Sequence, residues 1–123
     1  MPELIRLAPL AQQRGTSAII IGCYSDPGLD ALREMLTIPV IGPGAASLHL
    51  AAQLGTRLSV LTPSGRGYGR VAARLRGLGI GPLLASVRGI GLSVMDLANQ
   101  KPGALDKAEA AARLAVDQDG ADV

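Results

Sequence analysis

Apolar residues fall at Leu4, Leu7, Leu10 and Ala11, the spacing of one helix face, so a helix is expected over residues 3–13, closed by Arg14-Gly15. The pattern then changes. Ser17 to Cys23 is a near-continuous β-branched run, which predicts a strand buried on both faces. Pro27-Gly28 marks a turn, with Asp26 placed to cap a following helix and Pro27 acceptable at its first position. That helix carries Leu29, Leu32 and Leu36 on one side and Arg33 and Glu34 outward. Ile38–Ile41 reads as a short strand whose proline marks its first residue or a sheet edge.

Gly42-Pro43-Gly44 reads as a hinge-like turn, and Ala45 to Leu54 as a helix of small residues ended by Gly55. Arg57–Thr62 predicts another strand, residues 63–69 a glycine-rich loop, and Val71–Leu78 a helix. Leu83–Val87 is a further expected strand, and Val94–Leu97 a short turn of structure. Pro102 opens a last helix through Ala115. Gly120-Ala121-Asp122-Val123 resembles the start of a strand. Strand and helix alternate throughout, which predicts an α/β fold with a parallel sheet. A faint echo links Gly15-Thr16-Ser17-Ala18 with Gly120-Ala121-Asp122-Val123, since each follows a helix.

Composition sharpens this picture in three ways. With 123 residues, no Phe, no Trp and two Tyr, the core must come from Leu, Ile, Val and Ala, which suits helices on a parallel sheet. A net charge of +2 does not call for nucleic acid. One cysteine excludes an intrachain disulfide framework and fits a reducing compartment, so a cytoplasmic location is expected. No apolar run reaches a membrane span, and the N-terminus lacks the features of a signal peptide; no membrane partner is expected.

The single cysteine is the leading chemical candidate. Cys23 stands where an apolar run stops and a turn begins, the end of a strand where open α/β sheets bind ligands. Its plain alternative is a small buried hydrophobe. Asp26 reads as a helix cap before a site residue. His49 lies mid-helix, where a packed or surface role outweighs a catalytic one. One Cys and one His far apart support neither a zinc site nor a Cys-His dyad. Gly65–Arg70 fails the phosphate-loop and dinucleotide patterns and reads better as a lid over a cleft. Arg66, Arg70 and Arg74 form a stripe best explained as a solvated helix face.

Residues Cys23–Glu34, then Ile38–Gly42, His49-Leu50-Ala51, Leu54-Gly55 and Ser59–Thr62, arrive in an order that resembles the aspartate/glutamate/hydantoin racemase family, and most closely its hydantoin and allantoin branch. The resemblance implies a flavodoxin-like parallel sheet flanked by helices, within a two-domain architecture of pseudo-twofold symmetry. It also implies a small-molecule substrate and catalysis without metal or organic cofactor. Two thiols, one on each face of the substrate α-carbon, would exchange the proton. Carried onto this sequence, Cys23 is the acid/base residue, and Tyr24, Gly44 and Thr62 are substrate-binding candidates. Thr62 has the competing reading of an ordinary strand-end threonine. The resemblance departs in three places. The family's first strand and Asn-Pro-Asn-type loop have no counterpart, a second cysteine would follow a stretch like Gly120–Val123, and Ala45 stands where glutamate is common. On this reading residues 1–42 are the second half of a first racemase-like domain. Residues 43–56 are a connecting turn and helix, and 57–123 the first half of a second domain. The halves would complete each other within or between chains, so a homo-oligomer is expected. Two copies of Cys23 could then share a cleft; a non-catalytic oligomerising fragment or decayed paralogue is the alternative.

Overall fold

Helix α1 (Pro2–Gln13) opens the computed structural model, which describes residues 2–123. The chain divides into two compact units, Met1–Leu48 and His49–Val123. In the first, α1 ends at Gly15 in the left-handed conformation (φ +86) and leads into β1 (Ile19–Ile20). Helix α2 (Leu29–Met35), β2 (Val40–Ile41) and the first turns of α3 (Pro43–Leu54) follow. The two strands are parallel, with Ile19 opposite Val40 and Ile20 opposite Ile41. The Ile19 amide donates to Pro39 O (2.9 Å) and the Ile21 amide to Ile41 O (3.0 Å).

The three- and four-residue spacing of Leu29, Leu32 and Leu36 does what an apolar helix stripe should: all three are buried, Leu32 completely, with Ala8, Ile21, Val40, Ala45 and Leu48. The strand expected over Ser17–Cys23 is shorter and one-sided. Only Ile19–Ile20 is laddered. Ile21 is buried, but Ile20 is 69% exposed and its cross-strand partner Ile41 42%. Alternation along a strand puts those two side chains on the face that the unit's helices leave open. The turn expected at Gly42-Pro43-Gly44 is instead the start of α3, because Pro43 takes the first helical position, where its missing N–H costs nothing.

The second unit holds β3 (Leu58–Thr62), α4 (Tyr68–Gly77), a 3₁₀ turn (Gly81–Leu83), β4 (Leu84–Gly89), α5 (Val94–Ala98) and α6 (Ala104–Asp119). β3 and β4 are parallel, Ser59 facing Ser86 and Thr62 facing Gly89. α4 begins three residues earlier than expected, at the turn after Gly67. Leu58, Val60, Ala72, Leu75, Leu92, Ala111, Ala115 and Ala121 are buried. The strand expected to begin at Gly120 is present as a pairing. The Ser59 amide donates to Val123 O (2.8 Å) and the Asp122 amide to Arg57 O (2.9 Å). These groups point away from β4, so β3 lies between β4 and the chain's last residues. Gly120 is left-handed (φ +65), as Gly15 is. The echo between those stretches is one local device, a helix ended by glycine and fed into a parallel sheet.

Charged side chains tie this end down. The Asp122 carboxylate accepts from the amides of Thr56 (3.0 Å) and Arg57 (2.8 Å), and the Arg57 guanidinium donates to Gly120 O (2.7 Å) and Asp119 O (2.6 Å). Arg88 grips Asp119 through two bonds of 2.6 and 2.7 Å. The Arg88 bonds, helped by Ser86, lower the Asp119 carboxyl from 3.8 to about 2. A depressed folded-state pKa stabilises above the unfolded value, and that stability is lost as pH falls through the folded one. Urea midpoints should therefore drop between pH 3.8 and about 2. Arg88→Met should flatten that drop while leaving the part due to Asp96, which Ser93 and Lys101 also hold at about 2. An unchanged profile in Arg88→Met would contradict this assignment. No helix among the described residues is long and apolar enough to cross a membrane.

Candidate functional site

β1 delivers its chain end to the candidate site. After the buried Ile21, Gly22 and Cys23 leave the ladder, and the Asp26 amide donates to Cys23 O at 2.9 Å, closing a turn. Cys23 is exposed on that turn, its Sγ 3.2 Å from Ser25 Oγ. Tyr24 beside it is 51% exposed. The reading of Cys23 as a buried apolar side chain is thereby set aside.

Asp26 turns the other way. It is 5% exposed, the sole buried charged residue among those described. It does not cap the helix that follows it. Its left-handed backbone (φ 47) swings Pro27 into a turn, and Gly28 occupies the N-cap position of α2. The Asp26 carboxylate reaches instead to the start of α3, accepting from the amide of Gly44 (3.0 Å) and of Ala45 (2.7 Å). The accounting of that helix end is complete: Pro43 has no N–H, Gly44 and Ala45 donate to Asp26, and Ala46 donates to Gly42 O (2.9 Å). A carboxylate on a helix N-terminus also meets the positive end of its dipole.

Gly42 is the residue that sequence reasoning missed. A Cβ there would lie 2.5 Å from Asp26 Cγ and 2.6 and 2.8 Å from its two oxygens. Glycine at this N-cap supplies no capping side chain and clears the space for a carboxylate from elsewhere. The available signal was a helix opening with Gly-Pro and no capping residue of its own.

Cys23, Tyr24 and Gly44 thus belong to one unit, the first two on a turn that Asp26 fastens to the third. Thr62 belongs to the second unit, at the end of β3. Its hydroxyl accepts from the Gly65 amide (3.1 Å) and lies 3.5 Å from Arg88 O, to which it donates. The Gly65–Arg70 stretch is held at its base: the Leu92 amide donates to Pro63 O (3.1 Å), and Gly67 is buried. Arg66 and Arg70 are exposed and Arg74 half-buried, and His49 is exposed on α3. Among the described residues no three His, Cys, Asp or Glu side chains gather as a metal site.

The model of the Asp/Glu/Hydantoin racemase family matches residues 1–123. The chain belongs to that family. A hydantoin racemase of Pseudomonas sp. (strain NS671) is 27% identical over 122 residues, which are 99% of this chain and 49% of the relative. A hydantoin racemase of Paenarthrobacter aurescens is 32% identical over 105 residues, 85% of this chain and 44% of the relative. The solved allantoin racemase from Klebsiella pneumoniae superposes with a TM-score of 0.87 at 29% identity, covering 95% of this chain and 48% of that one. The chain spans about half the length of these relatives. The family that the segments between Cys23 and Thr62 resemble is therefore the one the whole chain matches, and the α/β fold with parallel strands flanked by helices is that of a solved racemase. Within this racemase-family chain, the Cys23–Asp30 segment is where a strand end, an exposed thiol and a buried carboxylate occur together.

Proposed function

We propose that the chain supplies acid/base thiol chemistry for racemising a hydantoin-like or amino-acid-derived substrate, with Cys23 as the reacting group. The exposed thiol beyond the end of a parallel strand supports this reading most, since that edge is where α/β sheets meet ligands. In the reaction the Cys23 thiolate takes the proton from the substrate's α-carbon. The C–H electron pair passes into the adjacent carbonyl as an enolate. A second acid on the opposite face then returns a proton. The step consumes no oxidant and needs no cofactor. Tyr24, exposed beside Cys23, would contact substrate; Gly44, buried with its amide held by Asp26, would back the turn that carries Cys23 and Tyr24, and Thr62 is a separate candidate contact on the second unit.

The chain carries one cysteine, so a symmetric pair of copies would bring two Cys23 thiols to one α-carbon. The division into residues 1–42, 43–56 and 57–123, as complementary halves of two racemase-like domains, is part of this proposal, as is a cytoplasmic location for a reduced thiol. Enantiopure 5-substituted hydantoin in D2O tests it. Optical rotation should decay with deuterium entering C5, faster than the uncatalysed background. Specific activity should fall on dilution in step with loss of the dimer. Activity that persists in a demonstrated monomer would defeat the shared-cleft arrangement. A second reading, a non-catalytic oligomerising module, draws on the exposed Ile20–Ile41 pair and expects association with no deuterium incorporation.

A further inference from the structure

The Asp26 carboxylate does more than close a helix end, and Cys23 is where its effect is felt. The turn that presents Cys23 runs only from residue 23 to 26, closed by the Asp26 amide on Cys23 O (2.9 Å). β1 fixes one side of it, through Ile21. The other side is fixed by the side chain of Asp26, on the amides of Gly44 and Ala45. Those partners lie 18 and 19 residues away in sequence. The turn is therefore held to α3 as well as to its own strand. Two bonds from neutral amides to a buried carboxylate set direction as well as distance, because both oxygens are engaged. Gly42 completes the device, since any Cβ there would stand where the carboxylate stands.

We infer that Asp26, seated on the α3 N-terminus in the space left by Gly42, is a positioning residue for the Cys23 thiol. The inference rests on Cys23 being the reacting group. In this role Asp26 acts through the backbone, its two oxygens accepting from the Gly44 and Ala45 amides. It holds the 23–26 turn in the shape that sets Cys23 Sγ 3.2 Å from Ser25 Oγ. A serine hydroxyl donating to a thiolate favours the ionised form and tempers its nucleophilicity. Loosening the turn should therefore raise the pH at which the thiol ionises and raise the reactivity of the thiolate once formed.

The experiment is the pH profile of Cys23 alkylation by iodoacetamide in the wild-type chain, Asp26→Asn and Gly42→Ala. Circular dichroism and amide hydrogen exchange at Gly44 and Ala45 accompany it. Asn keeps one acceptor for α3, and circular dichroism checks that the fold is retained. Both variants should lose exchange protection at Gly44 or Ala45. In Gly42→Ala, which keeps the negative charge, the alkylation midpoint should rise by about half a pH unit. Its high-pH plateau should rise about twofold, as a Brønsted slope near one half requires. In Asp26→Asn the plateau should rise likewise. Plateaus equal to wild type in both variants, with exchange protection lost, would reduce Asp26 to a helix cap and overturn the inference. A plateau change in Asp26→Asn alone would trace the effect to charge and overturn it too. Should Asp26→Asn unfold, Gly42→Ala decides alone. Alkylation needs no turnover, so its failure is separable from failure of the racemase reading, which the deuterium assay reports.

Discussion

On the proposed thiol mechanism, Cys23→Ser should lower the rate of solvent-deuterium exchange at the substrate α-carbon by a factor of about 10²–10⁴, the range a positioned acid/base group contributes. The reason is acidity. A thiol ionises near neutral pH, whereas a serine hydroxyl in the same place stays protonated and cannot act as base. The exchange changes one exposed atom, so stability should move by less than about 0.5 kcal/mol. That pairing of a large kinetic loss with an unchanged urea midpoint separates chemistry from folding. Cys23→Ser that retains exchange within threefold of wild type would remove Cys23 from the mechanism.

Gly89→Ala destabilises the second unit by about 3 kcal/mol, the upper end of what overpacking costs. A Cβ at residue 89 would lie 2.5 Å from Gly65 N, 2.7 Å from Gly65 Cα and 2.9 Å from Ser64 C. All three are backbone atoms, and little lets them yield. Gly65 is left-handed (φ +68) and its amide is bonded to Thr62 Oγ1. The Ile90 amide is bonded to Thr62 O (2.9 Å). Relief would therefore break the turn that ends β3 or unzip the end of β4. At a urea slope of about 2 kcal/mol/M the midpoint should fall by roughly 1.5 M. Gly77→Ala is the matched control. Its Cβ would meet nothing within 4 Å in α4, so it should be neutral or mildly stabilising. Equal midpoints for the two variants would contradict the close approach of the two loops.

Much of the fold was legible because the signals were local. Leu29, Leu32 and Leu36 announce a buried helix face by spacing alone, and they are buried. Gly15 and Gly55 each mark a helix end, whereas the last helix runs past the expected Ala115 to Asp119 and ends at Gly120. The short helix α5 was also marked, by Ser93 and Asp96 at capping-box spacing, but three residues of periodicity were too few to declare it. At the site, Cys23 at a strand end was readable because an apolar run gives way to Asp-Pro-Gly. The geometry of Thr62, whose hydroxyl closes the turn to Gly65, left no trace in the sequence beyond a residue before proline.

By itself the sequence determined the order of helices and strands, their parallel arrangement, the aliphatic core and the placing of one thiol beyond a strand. Each follows from side chains within a few positions of one another. Tertiary structure alone decided that Asp26 serves α3 rather than α2, that Gly42 must lack a side chain, and that Ile20 and Ile41 share an open face. It also decided that Val123 pairs with Ser59. Those outcomes depend on which distant segment arrives beside a given side chain. A carboxylate takes whichever unsatisfied amides the folded chain brings to it, and sequence spacing does not encode that meeting.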